Sequence, residues 1–191
     1  MPRRVIVVTG TPGTGKTTLA GMLATRLKAL HVDVPELVEK EALYKGVDEE
    51  RKSKIVDLLQ VRNRLRELVR ETPRLLLVSS HVPDVAWRRD VKRVVVLRLD
   101  PRELKKRLEG LGWPLQKVKE NVASEVLGTC FEEAIQYYGE DRVVELDVTG
   151  LSIEEAVDRL HLAIKGQGAS KVDWLSKAVD DEDLAKLLAE L

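Results

Sequence analysis

The fold of this chain is decided by the stretch VIVVTGTPGTGKT at residues 5–17. A run rich in β-branched residues ends at Thr9 and is followed by Gly10, which is typical of a buried parallel strand. Apolar residues at helical spacing follow Lys16 and predict a helix. The stretch therefore predicts a strand, a glycine-rich loop and a helix in direct succession.

The loop from Gly10 to Thr17 fits the pattern G-x-x-x-x-G-K-[ST]. Its glycines allow the backbone to curl so that successive N–H groups point at phosphates, and the following helix adds the positive end of its dipole. We expect Lys16 to reach the β- and γ-phosphates and the hydroxyl of Thr17 to ligate magnesium. The loop thus predicts binding of ATP with Mg²⁺. It does not identify the acceptor, because kinases, ATPases, GTPases and motors share it.

Composition narrows the class of protein. The 191 residues suit one domain, and the 32 Lys+Arg balance the 32 Asp+Glu, which argues against a general nucleic-acid binder but leaves a local basic patch open. The single cysteine, Cys130, excludes an internal disulfide and suits a reducing compartment. The apolar run at residues 5–8 is too short for a signal peptide or membrane span. We expect a soluble cytoplasmic protein with no membrane contact and a thermophile-like composition.

Strands and helices alternate along the chain. Strands are predicted at residues 4–9, 74–78, 92–99 and 142–148, with a further very short strand at 31–34. Helices are predicted at 16–30, 35–44, 48–70, 101–108, 114–138 and 153–165, the fourth capped by Asp100 and the last by Ser152 in a capping box with Glu155. This alternation predicts an α/β fold, with a parallel P-loop sheet of about five strands and helices on both faces.

A linker is predicted at residues 166–170, followed by an amphipathic C-terminal tail at 171–191. The tail either packs on its own domain or offers its apolar face to a partner.

Several motifs together resemble one family. They are the loop Gly10–Thr18, the segment LYKGVDEE at residues 43–50, His81 after a buried strand, and a pattern that runs from Arg107-Leu108-Glu109 through Gly112-Trp113 and Glu120-Asn121 to Glu125. The chain resembles the adenylate kinase isoenzyme 6 family, the coilin-interacting nuclear ATPases and their archaeal counterparts, over about residues 4–165.

The resemblance implies an adenylate kinase fold for residues 1–165, with a monophosphate-binding arm at about 33–54 and a short lid at about 108–113. It implies a broad-specificity nucleoside monophosphate kinase that also hydrolyses ATP. It further implies a role in late maturation of the small ribosomal subunit, through a platform ribosomal protein of the S-eleven type, with possible rRNA contact.

The loop pattern and the resemblance together give the candidate site. The predicted triphosphate-binding residues are Gly10, Gly13, Thr14, Gly15, Lys16, Thr17 and Thr18, the last added by the resemblance. The predicted catalytic residues are Lys16, His81 and Arg107. The monophosphate is expected at Lys40 and Tyr44.

The chain departs from the family pattern at three positions. Ser79 stands where the family has an acid that holds a magnesium-bound water, and Asp84 is a candidate substitute. Glu39 stands where the family often has an arginine, with Lys40 adjacent. Leu111 replaces a second lid arginine. Because phosphoryl transfer depends on neutralising charge around the transferred group, we predict good ATP binding but slow transfer.

Some alternatives stay open at the level of single residues. His81 either orients water or phosphate, or is structural, and Trp113 either covers the adenine or packs the lid. The cluster Arg62, Arg64, Arg66 and Arg70 is either a solvated face or a contact for the monophosphate or rRNA.

Three functions compete for the whole chain. They are a monophosphate kinase, an ATP-driven ribosome-assembly switch with little kinase turnover, and a small-metabolite kinase, against which the arm segment at 43–50 argues. Addition of AMP separates the first two, since only a kinase uses it as an acceptor.

Overall fold

The computed structural model describes residues 3–49 and 53–191. In chain order its elements are β1 (Val5–Gly10), α1 (Lys16–Leu27), β2 (Leu30–Asp33), α2 (Val34–Glu41), β3 (Tyr44–Asp48), β4 (Ser53–Val56), α3 (Leu58–Glu71), β5 (Leu76–Ser79), β6 (Val91–Arg98), α4 (Pro101–Gly110), α5 (Leu115–Leu127), α6 (Thr129–Tyr138), a 3₁₀ turn (Glu140–Arg142), β7 (Val143–Asp147), α7 (Ile153–Ala163), α8 (Trp174–Asp180) and α9 (Glu182–Ala189). Residues 50–52 of the predicted arm lie outside the described residues, and residue 50 is also the last of the motif at 43–50. Residues 1 and 2 of the predicted domain lie outside them as well.

The central feature is a five-stranded parallel sheet with the order β2-β5-β1-β6-β7. Alternate residues of β1 face opposite sides: Ile6 and Val8 join one core cluster, whereas Val5 and Val7 join the other. Helices therefore cover both faces, and the predicted fold class is confirmed. The carboxyl ends of β1, β2 and β5 meet at the edge where the phosphate loop leaves β1.

The prediction of a helix at residues 48–70 is wrong for Asp48 and for Ser53–Val56, which belong to strands. Strands β3 and β4 form an antiparallel hairpin there, and α3 begins only at Leu58. The Asp57 carboxylate accepts the backbone N–H groups of Leu59 and Gln60, at 3.1 and 3.2 Å, and so caps α3. Ile55 of the hairpin and Leu59 in the first turn of α3 are about half exposed.

The predicted helix at residues 114–138 is two helices. Gly128 adopts a φ of 66° and ends α5, and its N–H bonds the carbonyl of Glu125 at 3.1 Å. A left-handed residue cannot continue an α-helix, so α6 starts at a new angle. The caps predicted at Asp100 and Ser152 are confirmed, the second with its capping box to Glu155.

The tail packs on its own domain. Leu184 and Leu187 of α9 are buried in the same core cluster as residues of α4, α5 and α7. Asp181 accepts hydrogen bonds from Arg102 of α4 at 2.8 and 3.0 Å. The tail is thereby fixed against the two helices that flank the predicted lid.

Within residues 3–49 and 53–191, the helices are all too short or too polar to cross a bilayer.

Candidate active site

The phosphate loop requires glycine at two positions where it touches its neighbours. Gly10 has a φ of 136°, and a Cβ there would lie 2.4 Å from the carbonyl oxygen of Leu97. Gly13 has a φ of 91°, and a Cβ there would lie 2.9 Å from the side chain of Leu104. The loop is thus pressed between β6 and α4, and side chains at these positions would displace it.

Lys16 lies within the curl of the loop. Its Nζ donates to the backbone oxygen of Thr11 at 2.9 Å. Burial lowers the pKa of Lys16 to about 8, partly opposed by neighbouring groups that include Glu125 and Asp33. The ammonium group therefore lacks much of its hydration, which favours contact with an incoming phosphate.

Asp33, at the end of β2, places a carboxylate beside Ser79 and the loop. Its Oδ2 accepts the hydroxyl of Thr17 at 2.7 Å and the hydroxyl of Ser79 at 2.9 Å. Its Oδ1 accepts the backbone N–H of Glu36 at 3.1 Å and caps α2. Since β2 and β5 pair with Asp33 opposite Ser79, the carboxylate reaches the loop from the neighbouring strand.

The other candidate acid is held elsewhere. Asp84 is paired with Arg62, whose Nε also donates to the Asp84 carbonyl at 2.8 Å. His31, given no functional context by the sequence, contacts the Ser79 hydroxyl at 3.0 Å.

The residues beside the loop fit a magnesium ion. Magnesium prefers oxygen ligands and keeps several waters and substrate phosphates in its shell. The Thr17 hydroxyl and the Asp33 carboxylate offer two such oxygens side by side. In the part of the chain that is described, groups of three or more His, Cys, Asp or Glu suited to a metal are absent, so phosphate and water would complete the shell.

A first cavity, of about 230 Å³, lies on the α7 side of the loop. It is lined by Thr14, Gly15 and Thr18, together with Arg107 and apolar residues from the β7–α7 region. Arg107 donates to the Gly13 carbonyl at 3.3 Å and to Glu103 at 2.5 Å, so its guanidinium lies at the loop.

A second cavity, of about 320 Å³, is the cleft over the loop itself. Lys16, Thr17, Asp33, His81 and Trp113 all line it. His81 is exposed to the cleft. Its pKa is lowered, mainly by partial desolvation and to a smaller extent by the positive charge of Lys16. Trp113 lies over this phosphate cleft and is not among the residues lining the first cavity.

A third cavity, of about 370 Å³, continues the cleft on the α2 side and shares Pro35, Ser80 and His81 with it. The rest of its wall is mostly apolar and is formed by Val34, Val38, Val56, Leu58 and Val82. Lys54 is the cation that lines it.

Lys54 of the third cavity is paired with Glu39, and its Nζ lies 4.3 Å from the centre of the Tyr44 ring. Lys40 is exposed on α2, whereas Glu39 and Lys54 line the cavity. The structure thus brings Tyr44 near the third cavity through Lys54.

The arginine cluster on α3 is largely paired with acids. Arg64 bonds Glu41 at 2.9 Å, and Arg66 lies 3.9 Å from Asp90. Together with the Arg62–Asp84 pair, these contacts fit a charged face better than a free phosphate site.

The structure places the predicted residues Thr14, Gly15, Thr18 and Arg107 at the first cavity. It places Lys16, Thr17 and His81 at the cleft. Sequence reasoning missed Asp33 and Lys54. Asp33 gave only the signal of a helix cap, and Lys54 fell within a segment interpreted as helix.

Comparisons with known proteins show the family of the chain. A family model described as an AAA domain matches residues 6–128. A protein of Methanocaldococcus jannaschii named "Putative adenylate kinase" is 34% identical over 177 residues, covering 92% of this chain and 95% of that protein. A protein of Halobacterium salinarum with the same name is 41% identical over 175 residues, covering 88% and 96%.

Among solved structures, a thymidylate kinase from Candida albicans superposes with a TM-score of 0.54 at 16% identity, covering 85% of this chain and 91% of that one. At this identity the likeness shows the fold alone.

Proposed function

This chain belongs to the family of archaeal proteins named "Putative adenylate kinase", and on that premise we propose that it transfers the γ-phosphoryl group of ATP to a nucleoside monophosphate. The reaction yields ADP and a nucleoside diphosphate. An oxygen of the acceptor phosphate bonds to the γ-phosphorus, and the bond from that phosphorus to the bridging oxygen of ADP breaks.

One observation carries the proposal: two cavities are lined by the phosphate loop, and a third shares Pro35, Ser80 and His81 with the second. The first, beside Thr18 and Arg107, suits the base and ribose of ATP, and the cleft over Lys16 suits its phosphates. The third opens directly from that cleft and has apolar walls that suit a second base. A simple ATPase needs the first two cavities, whereas a kinase needs all three.

The roles of the loop residues follow from their chemistry. Lys16 would leave the Thr11 carbonyl and contact the β- and γ-phosphates, and the N–H groups of the loop would hold the β-phosphate. Thr17 would ligate magnesium and Asp33 would hold a water of its shell. Bound there, magnesium neutralises charge that develops on the phosphate oxygens. His81 lines the cleft and Arg107 bonds the loop at the Gly13 carbonyl, and both would contact the transferred group.

The acceptor would be bound by α2 and the β3–β4 hairpin, which together form the monophosphate arm. Lys54 is the cation we assign to the acceptor phosphate, in place of the exposed Lys40. Its pairing with Glu39 keeps the ammonium at the cavity in the absence of substrate. Tyr44 beneath it would limit the positions that the lysine adopts.

Slow turnover and ATP hydrolysis are part of the proposal. Leu111, in the lid turn, is 66% exposed and offers no charge to the transferred phosphoryl group. A transition-state arginine contributes about 10³–10⁵-fold in related chemistry, so its loss lowers the rate of transfer. Water that enters an empty third cavity would accept the phosphoryl group instead.

The test is ADP production from ATP and magnesium with a panel of acceptors. AMP, other nucleoside monophosphates, and shikimate and gluconate as non-nucleotide controls are compared with ATP alone. We expect at least one monophosphate to raise ADP output well above the ATP-only rate. Lys16→Ala should abolish that increase. A rise with a non-nucleotide acceptor only would contradict it.

The ribosomal role, the S-eleven-type partner, rRNA contact and a cytoplasmic location stay predictions from the resemblance and composition. The partner is tested by whether the purified ribosomal protein raises the ATP hydrolysis rate. An increase that requires Lys16, with no response to monophosphates, would favour the assembly switch over the kinase.

A further inference from the structure

A buried charge cluster lies directly beneath the phosphate loop. The Arg98 guanidinium, on β6, donates to Glu125 of α5 at 2.8 Å and is also paired with Glu145 of β7. All three side chains are at most 5% exposed. One positive charge is thus shared between two negative charges, and the carboxylates need further donors to be stable in the interior.

Two of those donors come from the C-terminal tail. The indole N–H of Trp174 donates to Glu125 Oε1 at 3.1 Å, and the backbone N–H of Val172 donates to Glu145 Oε2 at 3.3 Å. Ser170 joins the tail to β7 by a backbone hydrogen bond to the Glu145 carbonyl at 2.9 Å. Trp174 is itself 2% exposed, so its N–H contacts the carboxylate without competing water.

The same carboxylate also holds the phosphate loop. Thr11 donates its hydroxyl to Glu125 Oε2 at 2.7 Å, a contact buried in the interior. The Thr11 carbonyl accepts Nζ of Lys16 and the hydroxyl of Thr14, each at 2.9 Å. A continuous chain of hydrogen bonds therefore runs from Trp174 through Glu125 to Thr11, and on to Thr14 within the loop without involving Lys16.

We infer that the docked tail is a working part of the triphosphate site, with Trp174 as a positioning residue that acts on the loop through Glu125. The indole N–H orients the Glu125 carboxylate, so that its second oxygen is fixed for Thr11. Tail docking and ATP binding then stabilise each other, by the reciprocity of linked equilibria. The inference rests on the proposed ATP site, but not on which acceptor is used.

The first experiment compares Trp174→Phe with Leu187→Ala. The phenylalanine keeps the aromatic packing and removes the N–H donor, whereas Leu187→Ala weakens tail packing without touching the charge cluster. Affinity for a non-hydrolysable ATP analogue is measured by calorimetry, and affinity for the monophosphate is measured beside it. Trp174→Phe should weaken analogue binding by about fivefold or more, the lower end for coupling between sites. Leu187→Ala leaves both hydrogen bonds from the tail to the cluster in place, so its affinity for the analogue should stay within about twofold of the wild type. Monophosphate binding by both variants should likewise stay within about twofold.

A double-mutant cycle with Thr11→Val tests the route. If the effect passes through Glu125, Trp174→Phe should add little once the Thr11 hydroxyl is gone, so the two effects are less than additive. Full additivity, or equal losses in Trp174→Phe and Leu187→Ala, would overturn the inference.

Hydrogen exchange in the wild-type protein tests the coupling without relying on the folding of a variant. The ATP analogue should slow hydrogen exchange at the amide of Val172 and its tail neighbours, and should fail to do so in Lys16→Ala. Unchanged tail exchange in wild-type protein that binds the analogue refutes the coupling. Wild-type protein that binds no analogue refutes instead the ATP site on which the coupling rests.

Discussion

Asp33→Asn should weaken the metal binding of the ATP complex without disturbing the fold. Asparagine keeps one oxygen, which can accept the Glu36 N–H and cap α2 as aspartate does. Its NH₂ group then faces the hydroxyls of Thr17 and Ser79, which lie 2.7 and 2.9 Å from the carboxylate and can accept its hydrogen bonds in turn. The substitution therefore keeps the helix cap and removes the negative charge that faces Thr17 beside the phosphate loop.

The magnitude follows from the environment of the carboxylate. A hydrogen bond to a charged group contributes about 1.5–3 kcal/mol, and we take the lower part, about 1.5–2 kcal/mol, because Asp33 is half-buried. At about 1.4 kcal/mol per tenfold, this corresponds to roughly 10–30-fold weaker metal affinity. The value lies within the range of about 10–100-fold seen for residues that orient metal ligands.

The assay is Mn²⁺ binding followed by electron paramagnetic resonance, in the presence of a non-hydrolysable ATP analogue. Asp84→Asn is the matched control, since its carboxylate is paired with Arg62 away from the loop, and it should leave Mn²⁺ affinity unchanged. The double variant Asp33→Asn with Ser79→Asp places an acid at position 79 instead, and it should recover a large part of the lost Mn²⁺ affinity. If Asp33→Asn binds Mn²⁺ as the wild type does, Asp33 is only a helix cap and the reasoning is refuted.

Further substitutions separate the parts of the site. Lys54→Ala should raise the KM for the monophosphate about tenfold or more, because it removes a charge-assisted hydrogen bond to the acceptor phosphate. Lys40→Ala should change this KM little. Equal effects of the two substitutions would show that Lys54 does not bind the acceptor phosphate. Gly13→Ala should weaken ATP binding by more than about tenfold, because the φ of 91° at Gly13 and its contact with α4 exclude a Cβ. Gly110→Ala is the control and should bind ATP normally, since Gly110 has open space around it. Normal ATP binding by Gly13→Ala would contradict the packed loop. Leu184→Ala should lower the free energy of unfolding by ~2–4 kcal/mol in urea titrations, because that side chain is 1% exposed; a loss below about 0.5 kcal/mol would mean that the tail is not docked.

The phosphate loop and the sheet were predictable because their signals are local. The apolar runs of β1, β5, β6 and β7 stand out against polar neighbours, and the loop pattern joins a strand to a helix. The caps at Asp100 and Ser152 are likewise set by a few adjacent residues.

The acid at the site was not predictable, because it depends on strand order. β2 has only four residues, and the sequence does not reveal that it pairs with β5. Only that pairing brings Asp33 opposite Ser79 and within reach of Thr17. The missing acid at residue 79 was visible in the sequence, but the position of the Asp33 carboxylate beside it was not.

The hairpin was missed because its composition favours a helix. Residues 48–70 are rich in Glu, Arg, Lys and Leu, and the true start of α3 is set by the single cap at Asp57. The tail contact was beyond reach for another reason: Trp174 meets Glu125 across 49 residues of sequence. Contacts at such separation depend on the assembled fold rather than on local pattern.

The most direct test of the kinase assignment follows the labelled γ-phosphate of ATP. Purified protein is incubated with γ-labelled ATP and magnesium, with and without AMP, and the products are separated by chromatography, with Lys16→Ala in parallel. The account predicts label in ADP when AMP is present, a small amount of labelled inorganic phosphate when AMP is absent, and neither with Lys16→Ala. Label that passes only to inorganic phosphate, at the same rate with and without AMP or any other monophosphate, would contradict it.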